Sequence, residues 1–294
     1  MPLISVIMST FNRGHFLKQA LESVLNQSFS DFEFIIIDDA SSDNTDKILK
    51  SCTDKRLRLY KNKQQCGCTF NYHNAQNLAQ GEFTAHIDDD DIWHKDKLAK
   101  QIEFMNRHPE ITLSGTFIET FGENRRPSWV FDTDSIKLDF MINFYNPICH
   151  SSVIFRNSFI QENCINYDMN KLCAQDYDLY KQIILNGGTL ANMPEVLIQY
   201  RMHKIRLTDV KETQDIQSNN AEKIKKELLK RFLSDEETEK ITEQMTGFPF
   251  NEYNTDNVLD AIDYAGRRYT EKYSAPYEII EAAKNDIQNG LYKF

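Results

Sequence analysis

The first 95 residues alternate between strand-like and helix-like segments, and this alternation constrains the fold more than any other feature. Residues 3–9 form an apolar run rich in β-branched side chains, and apolar residues then recur with helical spacing over 17–25. Further apolar runs at 32–37 and 83–87 are bounded by helix and turn signals. Such alternation predicts an α/β fold with a mostly parallel sheet covered by helices on both faces.

The pattern changes after His203. From about residue 211 the sequence is polar and helical, with Ile224, Leu228 and Phe232 on one helical face. Ser234 begins a capping box, the reciprocal hydrogen bonding of a helix N-terminus. We therefore expect a catalytic domain over residues 1–207 and a C-terminal helical region over 208–294, which could pair two copies of the chain as a homodimer.

The composition limits the ligands that this chain can bind. Of its 294 residues, 40% are hydrophobic and 12% aromatic, which supports a substantial core. The formal net charge of -10 argues against general binding to nucleic acid. The six cysteines contain no CxxC pair that would indicate a zinc site. No stretch approaches the roughly 20 apolar residues that cross a bilayer, so we expect a cytoplasmic protein.

Four consecutive aspartates, Asp88-Asp89-Asp90-Asp91, follow the apolar run at 83–87 and precede Ile92-Trp93. Adjacent carboxylates repel one another, and this repulsion raises their pKa values unless a cation lies among them. Oxygen ligands of this kind suit Mg²⁺ or Mn²⁺. A solvated acidic turn is the alternative, but the apolar strand before the tetrad and the tryptophan after it favour a metal site.

Polar side chains also follow the other predicted strands. Thr10, Asn12 and Arg13 come after the first strand, and Asp38 and Asp39 come after the second. Each of these residues could have only the local role of stabilising a turn. Ligands of open α/β sheets, however, bind beyond the carboxyl ends of the strands. The coincidence of these residues at one edge predicts a ligand site there.

Five segments resemble, in order, the signatures of family-2 glycosyltransferases with the GT-A fold. They are residues 5–13 (SVIMSTFNR), 23–29 (SVLNQSF), 37–43 (IDDASSD), 79–83 (AQGEF) and 88–93 (DDDDIW). The similarity continues more weakly to His203. It implies a GT-A, Rossmann-like central sheet flanked by helices, followed by the C-terminal helical appendage.

The resemblance also implies roles for individual residues. Residues of the loop after strand one and an acidic residue after strand two would hold the nucleotide of the donor, namely Thr10, Phe11, Asn12, Arg13 and Asp39. An aspartate can accept a hydrogen bond from the N3–H of a uracil-type base. Within the tetrad, Asp88 and Asp89 would contact the nucleotide-sugar, and Asp90 would ligate Mn²⁺ or Mg²⁺.

A general base is implied at the start of a late helix, in the segment 174–180 (AQDYDLY). Relatives commonly have a Glu-Asp pair there, and this chain has Gln175 in place of the glutamate but retains Asp176. Asp176 would take the proton from the acceptor hydroxyl as that oxygen attacks the anomeric carbon. Asp178 is the alternative base. The alternative to a base is a carboxylate that only complements the helix dipole.

Four further positions are assigned by the resemblance. Arg201 would contact the diphosphate and His203 would complete the metal shell, whereas a loop salt bridge is the alternative for this pair. His150 and Asp91 would lie on the acceptor side, although a structural role for His150 is equally compatible with the sequence. The segment Tyr72-His73-Asn74 departs from the Ala-Arg-Asn of many relatives, so the usual arginine contact is absent there.

The sequence therefore predicts an inverting, metal-assisted glycosyltransferase. Its donor would be a UDP-sugar, and its acceptor a saccharide or lipid-linked glycan, which would place the protein at the inner face of the membrane. A sugar-nucleotidyltransferase is an alternative, but residues 10–14 (TFNRG) lack the glycine-rich phosphate loop of that class. A non-catalytic scaffold that binds glycans or nucleotides is a second alternative.

Overall fold

The computed structural model describes residues 1–123, 132–203, 211–246 and 254–288. Its strands are β1 (Ile4–Thr10), β2 (Phe32–Asp38), β3 (Leu57–Lys61), β4 (Phe83–His86), β5 (Ile92–Trp93), β6 (Leu113–Gly122), β7 (Ile154–Arg156) and β8 (Leu190–Met202). The helices of the first 185 residues are α1 (Gly14–Leu25), α2 (Thr45–Ser51), α3 (Cys68–Leu78), α4 (Lys97–Arg107), α5 (Ser135–Met141), α6 (Asn157–Glu162) and α7 (Gln175–Leu185). The remaining helices are α8 (Lys211–Leu229), α9 (Asp235–Gln244), α10 (Thr255–Tyr273) and α11 (Tyr277–Gln288).

The described strands form one sheet in the order β3-β2-β1-β4-β7-β6-β8-β5. The part from β3 to β4 is parallel, β7 runs antiparallel to both of its neighbours, and β5 runs antiparallel to β8. β6 and β8 are parallel to each other. The predicted α/β fold is confirmed, and the sheet is parallel in its first half and mixed in its second.

β1 and β2 are buried along their entire lengths, as strands covered on both faces should be. On one face, α1 packs its apolar stripe of Leu17, Ala20, Leu21 and Val24 into the core. Because β1, β2 and β4 run in the same direction, their carboxyl ends meet at one edge of the sheet. This edge holds the polar residues that the sequence singles out.

The C-terminal helices are amphipathic and pack on the sheet-containing part of the chain. Ile224 and Leu228 of α8 belong to the same apolar cluster as Leu179 of α7. A third cluster joins α5 to the helices α9, α10 and α11, with Phe140 packed against Tyr269. The predicted capping box at Ser234 is present.

The predicted boundary at 207/208 lies outside the described residues, and the division into two domains stays a prediction. None of the helices in the described ranges combines the length and the apolar character required to span a bilayer.

Candidate active site

The aspartate tetrad lies directly after β4, at the carboxyl edge of the sheet. Asp88 and Asp90 are partly exposed, with 31% and 19% of their side chains accessible, whereas Asp89 and Asp91 are buried. Burial, and then the charge of Asp90, raise the pKa of Asp89 and of Asp91 well above the ordinary value. The tetrad thus holds more negative charge than its surroundings stabilise.

The end of β8 contacts the tetrad. Nε2 of His203 lies 2.9 Å from Oδ2 of Asp90, and only 8% of the His203 side chain is accessible. The backbone N–H of Arg201 donates to Oδ1 of Asp91 at 2.8 Å. Oδ2 of Asp91 is buried and has no hydrogen-bond partner among the described residues. The structure therefore brings together Asp90, Asp91, Arg201 and His203, although more than 100 residues separate the two aspartates from Arg201 and His203 in sequence.

The guanidinium group of Arg201 is held by protein contacts. Its Nε donates to the backbone oxygen of Asp90 at 2.7 Å, and its NH2 group donates to Oε1 of Gln19. The guanidinium carbon lies over the rings of Phe16 and Phe121, 4.7 and 4.3 Å from their centroids. In this arrangement Arg201 fixes the backbone of the tetrad, while its predicted contact with the diphosphate stays a prediction.

Asp88 faces a group of buried aromatic side chains. Its Oδ1 accepts a hydrogen bond from the hydroxyl of Tyr72 at 3.2 Å and lies 3.0 Å from Nε2 of His86. His86 stacks on His150, with ring centroids 3.5 Å apart and an interplanar angle of 19°. Nε2 of His150 lies 2.9 Å from the hydroxyl of Tyr167.

One ligand atom from each of His86, Asp88 and His150 lies within 4.8 Å of the other two, so these residues are a candidate metal site. The stacked rings argue against it, because the in-plane lone pairs of two nearly parallel imidazoles cannot converge on one ion. Burial lowers the pKa of His86 to about 3, so its imidazole ring is uncharged at neutral pH. His150 is buried, and its predicted role on the acceptor side stays a prediction.

The loop after β1 is built against the loop after β2. Oδ1 of Asn12 accepts the backbone N–H of Ser42 at 2.8 Å, and the N–H of Asn12 donates to Ser41 Oγ. Thr10 is buried and Phe11 is exposed, and the positive charge of Arg13 partly offsets the rise in the pKa of Asp89 that burial and Asp90 cause. Thr10, Asn12 and Arg13 therefore share one edge with the tetrad, as predicted, although Asn12 is engaged in holding the turn.

Asp39 is buried and fully hydrogen-bonded. Its Oδ1 accepts hydrogen bonds from Asn62 Nδ2 at 2.7 Å and from the N–H of Cys66 at 2.8 Å, and its Oδ2 accepts the N–H of Gly67 at 2.8 Å. Gly67 has φ of 91° and precedes α3. Asp39 therefore anchors this loop, and its predicted contact with a nucleotide base stays a prediction.

Asp176 lies in the first turn of α7. Its Oδ2 accepts a hydrogen bond from Nδ2 of Asn146 at 2.8 Å. Burial, together with the charge of Asp88, raises the pKa of its carboxyl to about 6, so the two carboxylates interact across the site. A carboxyl with this pKa is ionised at neutral pH and still basic enough to accept a proton. Asp178, the alternative base, is buried and ion-paired with Lys181 at 2.9 Å.

Comparison with known proteins establishes the family. Residues 5–167 match the profile described as Glycosyl transferase family 2. The chain belongs to this family. An uncharacterised glycosyltransferase of Haemophilus influenzae is 26% identical over 245 residues, 79% of this chain and 75% of that protein. WfaP of Escherichia coli, a UDP-Glc:α-D-GlcNAc-diphosphoundecaprenol β-1,3-glucosyltransferase, is 29% identical over 205 residues, 69% of this chain and 78% of that protein.

Solved structures of similar shape give this glycosyltransferase the GT-A fold. Residues 1–349 of TarS from S. aureus, in complex with UDP-GlcNAc, superimpose with a TM-score of 0.67 at 15% identity, over 98% of this chain and 92% of that chain. The mannosyltransferase PcManGT of Pyrobaculum calidifontis, in complex with GDP-Man and Mn²⁺, gives a TM-score of 0.60 at 14% identity, over 98% and 81%. At these identities the likeness shows the fold alone.

Several residues that line the site of this glycosyltransferase are missed by the sequence. Tyr72 rather than His73 reaches Asp88, because His73 faces the backbone oxygen of Tyr167. The sequence could have indicated a polar contact at His86, because a histidine at a buried position of an apolar strand needs a hydrogen-bond partner. Asn146 has no such signal, because its contact is with Asp176, 30 positions later in the sequence.

Proposed function

We propose that this protein is an inverting glycosyltransferase that moves a sugar from a UDP-sugar to a hydroxyl group of a saccharide acceptor. The observation that carries the proposal is the position of Asp176 at the start of α7, where its carboxyl interacts electrostatically with Asp88 of the tetrad and has a pKa of about 6. A basic carboxylate can accept the proton of an acceptor hydroxyl, and a cluster of carboxylates can hold a cation against a diphosphate. The UDP-Glc in the name of WfaP and the UDP-GlcNAc bound to TarS support a UDP-sugar donor.

A divalent cation, Mn²⁺ or Mg²⁺, fits the residues of the tetrad. Asp90 and His203 would hold it, because their side chains meet at 2.9 Å and neighbouring carboxylates have raised pKa values that a cation would reverse. The buried Oδ2 of Asp91, which lacks a hydrogen-bond partner among the described residues, also indicates missing positive charge. When bound, the cation would act as a Lewis acid towards the charge that develops on the departing diphosphate.

The chain's own residues would perform the remaining steps. Asp88 and Asp89 would contact the nucleotide-sugar, and the loop of Thr10, Phe11, Asn12 and Arg13, together with Asp39, would hold the nucleotide. Asp176 would accept the proton of the acceptor hydroxyl as its oxygen attacks the anomeric carbon. A single displacement from the face opposite the leaving group inverts that carbon.

The acceptor is proposed to be a saccharide or a lipid-linked glycan. WfaP, whose name specifies a diphosphoundecaprenol-linked acceptor, supports this class. A protein that uses such an acceptor and a nucleotide-sugar would work in the cytoplasm at the inner face of the membrane. Pairing of two copies through the C-terminal helices remains a further proposal.

A thermal-shift panel tests the donor and the cation together. UDP-, GDP- and dTDP-sugars are each added to the wild type, Asp90→Ala and Asp31→Ala, with and without Mn²⁺. Asp31 is exposed and serves as the matched control. We expect a shift that needs both Mn²⁺ and a UDP-sugar, is retained in Asp31→Ala and is lost in Asp90→Ala. The proposal fails if no donor shifts the melting temperature, or if Asp90→Ala responds as the wild type does.

Product analysis separates the alternatives. Release of UDP with an inverted glycosidic product supports the transferase, whereas release of pyrophosphate would support a sugar-nucleotidyltransferase. A protein that binds donor and Mn²⁺ but whose wild type transfers no faster than Asp176→Asn, across a panel of saccharide acceptors, would be a binding scaffold.

A further inference from the structure

Asn146 contacts the proposed base directly and in a fixed orientation. Its Nδ2 lies 2.8 Å from Oδ2 of Asp176, so the amide donates to the carboxylate. Its own Oδ1 accepts the backbone N–H of Ile148 at 3.1 Å. Because the amide oxygen is occupied by an N–H donor, the NH₂ group is the end that can face Asp176.

The segment that carries Asn146 is fixed to α7, the helix of the proposed base, and to Arg231 between α8 and α9. Tyr177, the residue after Asp176, donates its hydroxyl to the backbone oxygen of Ile142 at 2.6 Å. Asn143 donates to the backbone oxygen of Phe140 at 2.7 Å and accepts from Arg231 at 3.2 Å. Consecutive residues of α7 therefore bond to the same segment, which gives the Asn146 contact a defined geometry.

We infer that Asn146 is a positioning residue for the base, holding Oδ2 of Asp176 so that the other carboxylate oxygen is presented to the acceptor hydroxyl. The inference rests on the proposed function, because Asp176 is a base only in that reaction. A neutral amide suits this position. A lysine or arginine would form a charge-assisted bond and make the carboxylate a poorer base, whereas an aspartate would repel it.

The charges around Asp176 predict the effect of losing the Asn146 side chain. Burial and the charge of Asp88 raise the pKa of Asp176, whereas Asn146 and the backbone N–H groups at the start of α7 lower it. Among the described residues, the ionisable groups that interact with Asp176 include Asp88, Cys149, Tyr167, Cys173 and Tyr180. Removing the Asn146 donor leaves the two raising effects in place, so the pKa of Asp176 should rise.

The first experiment measures this pKa without any substrate. Protein labelled with ¹³C at the aspartate carboxyl carbons is titrated by NMR, and Asp176→Asn identifies the resonance. We expect a midpoint near 6 in the wild type and about one pH unit higher in Asn146→Ala, as loss of a hydrogen bond to a charged group implies. Asn146→Asp should raise the midpoint further, because it adds a like charge.

Asn163→Ala is the matched control. Its Nδ2 also donates a 2.9 Å hydrogen bond, to the backbone oxygen of Phe159, but it does not contact Asp176. This control should leave the midpoint unchanged. A thermal melt first shows whether Asn146→Ala is folded. The inference is overturned if Asp176 of the folded variant titrates with the wild-type midpoint. If Asn146→Ala does not fold, Asn146→Leu, which has no donor and is closer to asparagine in volume, decides by the same criterion.

The second experiment measures the transfer rate against pH. In Asn146→Ala, the acidic limb of kcat should move up by about one pH unit, which lowers kcat about tenfold in acid and less above pH 8. The KM for the donor should change little, because Asn146 contacts the base. A parallel fall in kcat at every pH would indicate a structural role instead.

The two proposals fail in different ways. If Asp176→Asn keeps wild-type transfer, Asp176 is not the base and the proposed function is wrong at that residue, whatever Asn146 does. If Asp176→Asn is inactive but Asn146→Ala keeps the wild-type pH profile and midpoint, the positioning role alone is wrong.

Discussion

Replacing the proposed base should make this protein more stable and inactive. Asp176→Asn removes a carboxyl that burial has made costly to ionise, while Asn146 can still donate to the new amide oxygen. The pKa of Asp176 is raised from 3.8 to about 6 in the folded protein. Because an acid with a raised pKa binds its proton more tightly when folded, its ionisation costs stability as the pH rises through that range.

The magnitude comes from the shift of about two pKa units. Each unit corresponds to about 1.4 kcal/mol, so the penalty on the wild type reaches about 3 kcal/mol well above pH 6. It is absent well below pH 4, and roughly half of it has developed at pH 5. The free energy of unfolding of Asp176→Asn, relative to the wild type, should therefore increase by about 1 kcal/mol between pH 5 and pH 8.

Urea denaturation at pH 5, 6, 7 and 8 measures this difference and requires no substrate. The change between pH 5 and pH 8 is the decisive quantity, because the packing of an amide instead of a protonated carboxyl contributes equally at every pH. Asp31→Asn is the control, since Asp31 is exposed and its replacement should have no pH-dependent effect. A stability difference that is independent of pH, or that falls with rising pH, would refute the idea that burial makes Asp176 basic.

Three further substitutions test how tightly the chain is packed and anchored around the sheet. Gly81→Ala should destabilise the protein by about 3 kcal/mol in urea denaturation, because a Cβ there would lie 2.6 Å from the backbone nitrogen of Ser5. Gly187→Ala, at φ of 81° with open space around it, should cost only about 1 kcal/mol; equal costs would contradict the steric explanation. Asp39→Asn should cost about 2 kcal/mol, because an NH₂ group would replace one carboxylate oxygen and face the N–H donor of either Cys66 or Gly67. Unchanged stability in that variant would show that Asp39 does not anchor the loop.

The sequence could predict the parallel half of the sheet because its signals are local. The apolar runs at β1, β2 and β4 are each bounded by turn residues, and the stripe from Leu17 to Val24 has helical spacing. The antiparallel insertion of β7 between β4 and β6 has no such local signal. It depends on pairings such as Ala85 with Ile154, which are separated by almost 70 residues.

The site divides in the same way. The four consecutive aspartates from Asp88 to Asp91 predict a charged cluster directly from the sequence. His203 could be joined to them through the family resemblance, and the structure places it 2.9 Å from Asp90. The contacts of Tyr72 and Asn146 depend on how α3 and the segment before His150 pack, so no spacing in the sequence reveals them.

The guanidinium group of Arg201 is already engaged by protein contacts, which limits the positive charge that it can offer to a diphosphate. The sequence suggests that its guanidinium reaches the donor, but in the structure that group bonds to the backbone of Asp90 and to Gln19 and lies between Phe16 and Phe121. An anionic donor would approach four aspartates in a chain of net charge -10. Within the described part of the chain, Arg13 lies near Asp89, yet its single guanidinium cannot balance the tetrad and two phosphates. Donor binding should therefore depend strongly on a divalent cation, which is why the Asp90→Ala variant tests the proposed function so directly.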